Sequence, residues 1–169
     1  MPTARVSRTI AAPPAQLWRI LSDPYHLPRW WPRVTRVEDV VDGTFTEVMK
    51  TRKGKTVRAD FDLVSADERS GTVVWEQRLE GTPFAGVLSS SETEVRVSRP
   101  GGASLGGLDD PADSVSEVTI EMRQELSGQS VPTLGGRRPL LPSMGRRMVR
   151  RAATRTIEEA LDGLERISV

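Results

Sequence analysis

Three polar side chains stand where the sequence pattern calls for apolar ones, and they define the chemistry open to this chain. Val73, Trp75, Gln77 and Leu79 alternate with Val74, Glu76, Arg78 and Glu80, while Ile120, Met122 and Gln124 alternate with Glu121 and Arg123. Gln77 and Gln124 therefore share the apolar face of two strands. A buried amide without a partner costs about 1–3 kcal/mol, so each must meet the other amide, a backbone group, water, or a ligand hydroxyl or carbonyl. Glu47 is the third. If Phe45, Glu47 and Met49 face inward, its carboxyl enters a pocket with a raised pKa, as a general acid or base requires. In the opposite register Thr46 and Val48 face inward and Glu47 is a surface residue, which is the preferred reading.

His26, the one histidine, lies in a turn between Tyr25 and Leu27 and is the second candidate for acid–base work. No motif places a Ser or Cys nucleophile beside it. The chain has no cysteine, which removes thiolate chemistry, disulfides and the usual His/Cys zinc sets. There is no P-loop, dinucleotide fingerprint or run of acidic metal ligands, so no metal, nucleotide or other cofactor is expected.

A different kind of signal lies near the C-terminus. Arg146, Arg147, Arg150, Arg151 and Arg155 crowd one half of an amphipathic segment, and Glu158, Glu159, Asp162 and Glu165 crowd the other. On a helix this order opposes the macrodipole, and several arginines are like-charge i, i+4 neighbours. The plain reading is a solvated arginine face, offset by the acidic stretch around Asp109, Asp110 and Asp113. The alternative is an anionic partner, either a membrane surface or an acidic protein.

The elements that position these residues follow from periodicity. Residues 4–10 alternate and read as a strand. Pro13 and Pro14 suit a first helical turn, Leu17, Trp18 and Leu21 recur at helical spacing, and Asp23-Pro24 ends the helix. A short helical segment over 24–30 leads into Trp30-Trp31-Pro32, whose indoles pack the short helices on the sheet rim or close an entrance. Period-two patterning then predicts strands over 34–41, 44–51, 55–66, 71–80, 86–98 and 115–126, joined by hairpin-sized turns such as Asp42-Gly43. Residues 100–114 read as a long loop and 127–142 as a Gly/Pro-rich connection. The last element is a helix over about 143–167 with an inward stripe of Met148, Val149, Ala152, Ala153, Thr156, Ile157, Ala160, Leu161 and Leu164. The small alanines allow close approach to a sheet.

The 169 residues carry 24 basic and 23 acidic side chains, a net charge of +1. The balance is segregated: +5 over residues 1–36, −8 over 37–136 and +4 over 137–169. Near-neutrality argues against bulk nucleic-acid binding. The length suits one domain over 1–169 with a full core. No apolar run reaches membrane-spanning length and no secretory h-region follows the start, so a cytoplasmic protein, monomeric or homodimeric, is expected.

Ile10-Ala11-Ala12-Pro13-Pro14-Ala15-Gln16-Leu17-Trp18, Leu21-Ser22-Asp23-Pro24 and Leu27-Pro28-Arg29-Trp30-Trp31-Pro32 resemble the opening of the SRPBCC superfamily. Val74-Trp75-Glu76-Gln77, Glu80-Gly81-Thr82-Pro83-Phe84 and the basic C-terminal helix resemble its polyketide cyclase/dehydrase-like group; START domains and birch-pollen-allergen-like proteins belong to the same superfamily. The likeness spans nearly the whole chain. It implies an α+β helix-grip fold, in which a strongly curved seven-stranded antiparallel sheet, two short helices and a long C-terminal helix enclose a cavity. Alternation places Phe61, Trp75, Gln77, Leu79, Val95, Ile120, Met122 and Gln124 on the concave face, with Met148 and Ala152 opposite and Trp31 at the rim. The same residues could equally be ordinary core. The resemblance implies a hydrophobic or aromatic small molecule, lipid or polyketide-like, held in the cavity. Its alternatives are an aromatase/cyclase or dehydratase acting on a polyketide-like substrate, and an interaction domain working through the basic helix.

Overall fold

A computed structural model of the chain describes residues 3–101, 113–128 and 142–168. Strand β1 (Thr3–Ile10) is followed by helix α1 (Pro14–Leu21), a 3-10 turn (Pro24–His26) and the single-turn helix α2 (Leu27–Trp30). Strands β2 (Val34–Val41), β3 (Thr44–Lys50), β4 (Thr56–Asp67), β5 (Thr72–Arg78), β6 (Leu88–Ser98) and β7 (Ser116–Leu126) come next, with a 3-10 turn at Pro83–Gly86 before β6. Helix α3 (Pro142–Ser168) ends the chain. All seven strands form one curved antiparallel sheet in the order β1-β7-β6-β5-β4-β3-β2. The α+β helix-grip architecture implied by the opening motifs is the one observed. The sequence extends β5 to residue 80 and starts β6 at 86, whereas the structure breaks both at the Pro83–Gly86 turn.

Local chemistry accounts for the boundaries. Pro14 opens α1, where its missing N–H has no partner to lose. The Asp23 carboxylate accepts the Tyr25 N–H at 3.0 Å and caps the next turn. Asp42 and Gly43 both have positive φ, 48° and 77°, as the two-residue hairpin between β2 and β3 requires. Strand β2 is an edge strand with two register shifts against β3, which twist it away from edge-to-edge pairing.

The concave face of the sheet and the inner stripe of α3 supply the core. Ala153, Ile157, Ala160, Leu161 and Leu164 pack with Val95, Val97, Val118 and Ile120, and Leu17, Leu21, Leu27 and Trp30 close the same cluster. Helix α3 crosses α2 closely. A Cβ placed on Gly163 would lie 2.3 Å from the Trp30 carbonyl oxygen, so only glycine fits there. The acidic C-terminal half of α3 is held from β1, where Arg8 pairs with Asp162 and reaches Glu165 at 3.7 Å.

The convex face carries charge ladders. Arg123 bonds Glu92 at 2.5 Å and Glu94 and Glu121 at 3.1 Å, and Arg78 donates to Asp62 at 2.8 Å. The pairs of Arg123 with Glu92 and Glu94 and of Arg78 with Asp62 are the cross-strand pairs that the alternation of signs predicts, and Glu121 joins from the same strand as Arg123. The predicted loop over 100–114 and connection over 127–142, with Asp109, Asp110, Arg137 and Arg138, lie largely outside the described residues. Among the described residues no helix is long and apolar enough to cross a membrane, and no group of three or more His, Cys, Asp or Glu side chains could hold a metal ion.

Candidate functional site

Because side chains alternate along each strand, cross-strand partners line up in rows across the concave face. One row runs Leu63, Trp75, Thr93, Met122 and Ala4 through direct pairing. A second contains Phe45, Phe61 and Gln77, and Ser91 pairs with Gln124 two residues along from Thr93 and Met122. Glu47 sits one step further along β3, opposite Ala59. Between these rows and α3 lies a cavity of about 290 Å³, close to the lower end of the range for small-molecule sites.

The apolar wall is built from Trp31, Phe61, Trp75, Met122, Val57 and Leu88. Trp31 meets Trp75 edge-to-face at 5.7 Å and Trp30 at 5.3 Å, while Phe45 stacks on Phe61 at 5.2 Å. These contacts fix the aromatic side of the cavity in place.

The polar groups in the wall are few and unequal. Gln124 Nε2 donates to Ser91 Oγ at 3.2 Å, which answers one of the two amides. Gln77 Nε2 is buried and has no hydrogen-bond partner among the described residues. Trp30 Nε1 shares that condition, but Trp30 does not line the cavity. Glu47 is 2% exposed, and burial alone pushes its carboxyl up to about 8. No cation pairs with it among the described residues. At neutral pH it is a neutral acid, and therefore a hydrogen-bond donor.

The preferred surface reading of Glu47 is thus corrected. Strand β3 buries Phe45, Thr46, Glu47 and Val48 in succession, so alternation does not separate a wet face from a dry one there. Thr46 uses its hydroxyl on Asp60 at 2.6 Å, on the face away from the cavity.

The other candidates fall into three places. Trp31, Phe61, Trp75, Gln77, Met122 and Gln124 come together around the cavity with Glu47. Val95 and Ile120 are fully buried in the core cluster beneath α3 rather than in the cavity wall, and Leu79 is buried but does not reach the cavity. Met148 and Ala152 are exposed. They share an i, i+4 line of α3 with Thr156, and only Thr156 reaches the cavity. His26 is drawn away as well, with Nδ1 3.1 Å from Arg29 and Nε2 3.7 Å from Asp23, and it contributes nothing to the cavity wall. Arg146, Arg147, Arg150, Arg151 and Arg155 are all exposed on the first half of α3.

Several cavity residues escape a reading based on apolar alternation. Ser91 and Thr93 share the parity of Val95 and Val97 and were detectable by extending that pattern into the polar end of β6. Arg33, Lys50 and Arg52 line the mouth; Lys50 ends β3 and the other two lie just outside the strands, so apolar alternation does not single them out.

Comparison with known proteins adds the following. A family model described as "Polyketide cyclase / dehydrase and lipid transport" matches residues 1–168. No curated protein matches the chain. Among solved structures, the Zhui aromatase/cyclase from Streptomyces sp. R1128 superposes with a TM-score of 0.62 at 19% identity, covering 98% of this chain and 92% of that one. A START superfamily protein from Mycobacterium smegmatis gives 0.67 at 13% identity, with 98% and 96% covered. The di-domain aromatase/cyclase StfQ of the steffimycin biosynthetic pathway gives 0.73 at 14% identity. This chain spans about half of StfQ, 50% of its length. At these identities the superpositions speak to fold alone.

Proposed function

The chain belongs to the polyketide cyclase / dehydrase and lipid transport family, and from that premise we propose that its cavity binds a hydrophobic or aromatic small molecule bearing a carbonyl or hydroxyl oxygen. A single observation carries this reading: Gln77 Nε2 is buried in a largely apolar cavity wall with no hydrogen-bond partner among the described residues. A ligand oxygen that accepts from Nε2 would offset the penalty of about 1–3 kcal/mol that an unpartnered buried amide carries. Neutral Glu47 offers a second donor on the same wall. Trp31, Phe61 and Trp75 supply flat surfaces suited to a ring system.

The test is native mass spectrometry of the protein as purified and after incubation with a panel of aromatic ketones, phenols and lipids. A one-to-one complex with members of the panel, released on denaturation, is the expected result. Absence of any complex with a folded protein would overturn the reading.

Glu47 favours a second reading, an enzyme of the aromatase/cyclase or dehydratase type. A carboxyl that titrates near 8 is matched to proton transfer at neutral pH. In a dehydration it would give its proton to a departing β-hydroxyl as the C–O bond breaks and water leaves. The resulting carboxylate would take the α-proton, which restores the acid and leaves the conjugated ketone. Because His26 lies outside the cavity, Glu47 would serve both steps alone. With a β-hydroxyketone or poly-β-keto substrate, Glu47→Gln should lower turnover by about 10²–10⁴-fold while ligand binding persists. Unchanged turnover in that variant would exclude the enzyme reading.

A further inference from the structure

The cavity has a charged end that the binding reading does not use. Arg33, Lys50 and Arg52 are exposed and line its mouth, and the one acidic side chain in the lining is Glu47. No carboxylate lies within ion-pair distance of any of the three among the described residues. On the convex face, by contrast, Arg58, Arg78, Arg96 and Arg123 are each paired with a carboxylate.

The backbone sets these cations side by side. Lys50 N–H donates to the Arg33 carbonyl at 3.1 Å, and the turn carrying Arg52 is closed by Thr51 N–H to the Lys55 carbonyl at 2.9 Å. Arg33 itself has φ of 66°, a conformation uncommon for side chains other than Asn, Asp and His. A strained backbone that presents a cation at a cavity mouth points to a use for the cation.

We propose that the ligand of this cavity is an amphiphilic anion, its carboxylate or phosphate held at the mouth by Arg33, Lys50 and Arg52 and its apolar body inside against Trp31 and Phe61. The inference rests on the binding reading above and adds the sign of the ligand's outer end. Arginine takes either anion in a bidentate manner and lysine acts as a point charge, so both head groups fit the same three residues. Exposure at the mouth makes the attraction sensitive to salt.

The experiment compares dansylaminoundecanoic acid with its methyl ester by fluorescence titration of the full chain, at low and at moderate salt. The native chain should bind the acid about tenfold more tightly than the ester at low salt, equivalent to about 1.4 kcal/mol, with the gap narrowing as salt rises. In the combined variant Arg33→Asn, Lys50→Gln, Arg52→Gln the gap should close to within about twofold while the ester binds as before. Asn is chosen at residue 33 because it tolerates positive φ, and unchanged ester binding reports an intact cavity. Displacement of the acid probe by dodecanoate and by dodecyl phosphate, with dodecanol as the neutral control, tells which anion is preferred. Equal binding of acid and ester by the native chain, a gap that survives in the variant, or equal displacement by dodecanol would overturn the proposal and leave the cavity reading intact. Failure of both probes to bind the native chain would overturn both.

Discussion

Glu47 and Gln77 present the same problem at the residue scale: a polar group is held in an apolar wall, and the protein bears the cost. For Glu47 the cost depends on pH. Its carboxyl ordinarily titrates near 4.5 and titrates near 8 in the fold, so the native state holds a proton that the unfolded chain releases. The Glu47 contribution to stability is then most favourable below about pH 4.5, falls as pH rises toward 8, and levels off above it. At pH 7 the loss is on the order of 3 kcal/mol. Glu47→Gln should therefore stabilise the protein at neutral pH and flatten its pH dependence, as read by denaturant unfolding at a series of pH values; identical slopes in both proteins would place the carboxyl in water. Gln77→Leu, which removes an unpartnered donor of similar shape, should stabilise the ligand-free protein by about 1 kcal/mol in the same assay. Gln77 was legible because Trp75 and Leu79 flank it at period two while Glu76, Arg78 and Glu80 mark the opposite face. Glu47 was not, because β3 is buried on both faces and its pattern fits either register.

At the scale of elements, α3 combines a tight anchor with a cationic end that has no ion pair among the described residues. Gly163 lets the helix backbone reach Trp30, and Gly163→Ala should cost on the order of 3 kcal/mol, the upper range for overpacking. A thermal melt within a degree or two of native would show that the helices can part. Glycine in a helix interior is itself a packing signal, since Ala would be about 1 kcal/mol better there in isolation. The reversed charge order along α3 is accounted for at one end only. Arg8 of β1 satisfies the acidic half, so tertiary pairing outweighs the dipole there. The arginine half, with Met144 and Met148 exposed beside it, has the composition of a surface-seeking basic helix. Flotation with vesicles should recover the protein with anionic but not neutral lipid, less so at higher salt, and recovery should fall in Arg146→Gln, Arg147→Gln, Arg150→Gln; equal recovery with both lipids would assign those arginines to water alone. Strand and helix limits were readable to within a few residues because Gly, Pro and Asp punctuate them. The phase of α3 was not, since Met148, Ala152 and Thr156 share one line and only tertiary contact decides which of them faces the cavity.

Taken whole, the molecule is a curved sheet whose core end is filled by Val95, Ile120, Ile157 and Leu161 and whose other end is left open between Trp31, Phe61, Trp75 and Met122. Alternation identifies the concave face, but it does not say where along each strand packing stops and the cavity begins, because that depends on where α3 crosses. The segregation of charge along the chain takes on a spatial meaning at this scale. Acidic strands pair their charges across the convex face, and three cations without an ion pair among the described residues, Arg33, Lys50 and Arg52, border the cavity mouth. The central claim, that the cavity accepts an apolar body and reads one oxygen through Gln77, is tested most directly by measuring the affinities of fluorenone and fluorene for the native chain and for Gln77→Leu. The account predicts that the native protein binds the ketone about tenfold more tightly than the hydrocarbon and that the preference collapses in Gln77→Leu. No binding of either compound, or a ratio that the substitution leaves unchanged, would contradict it.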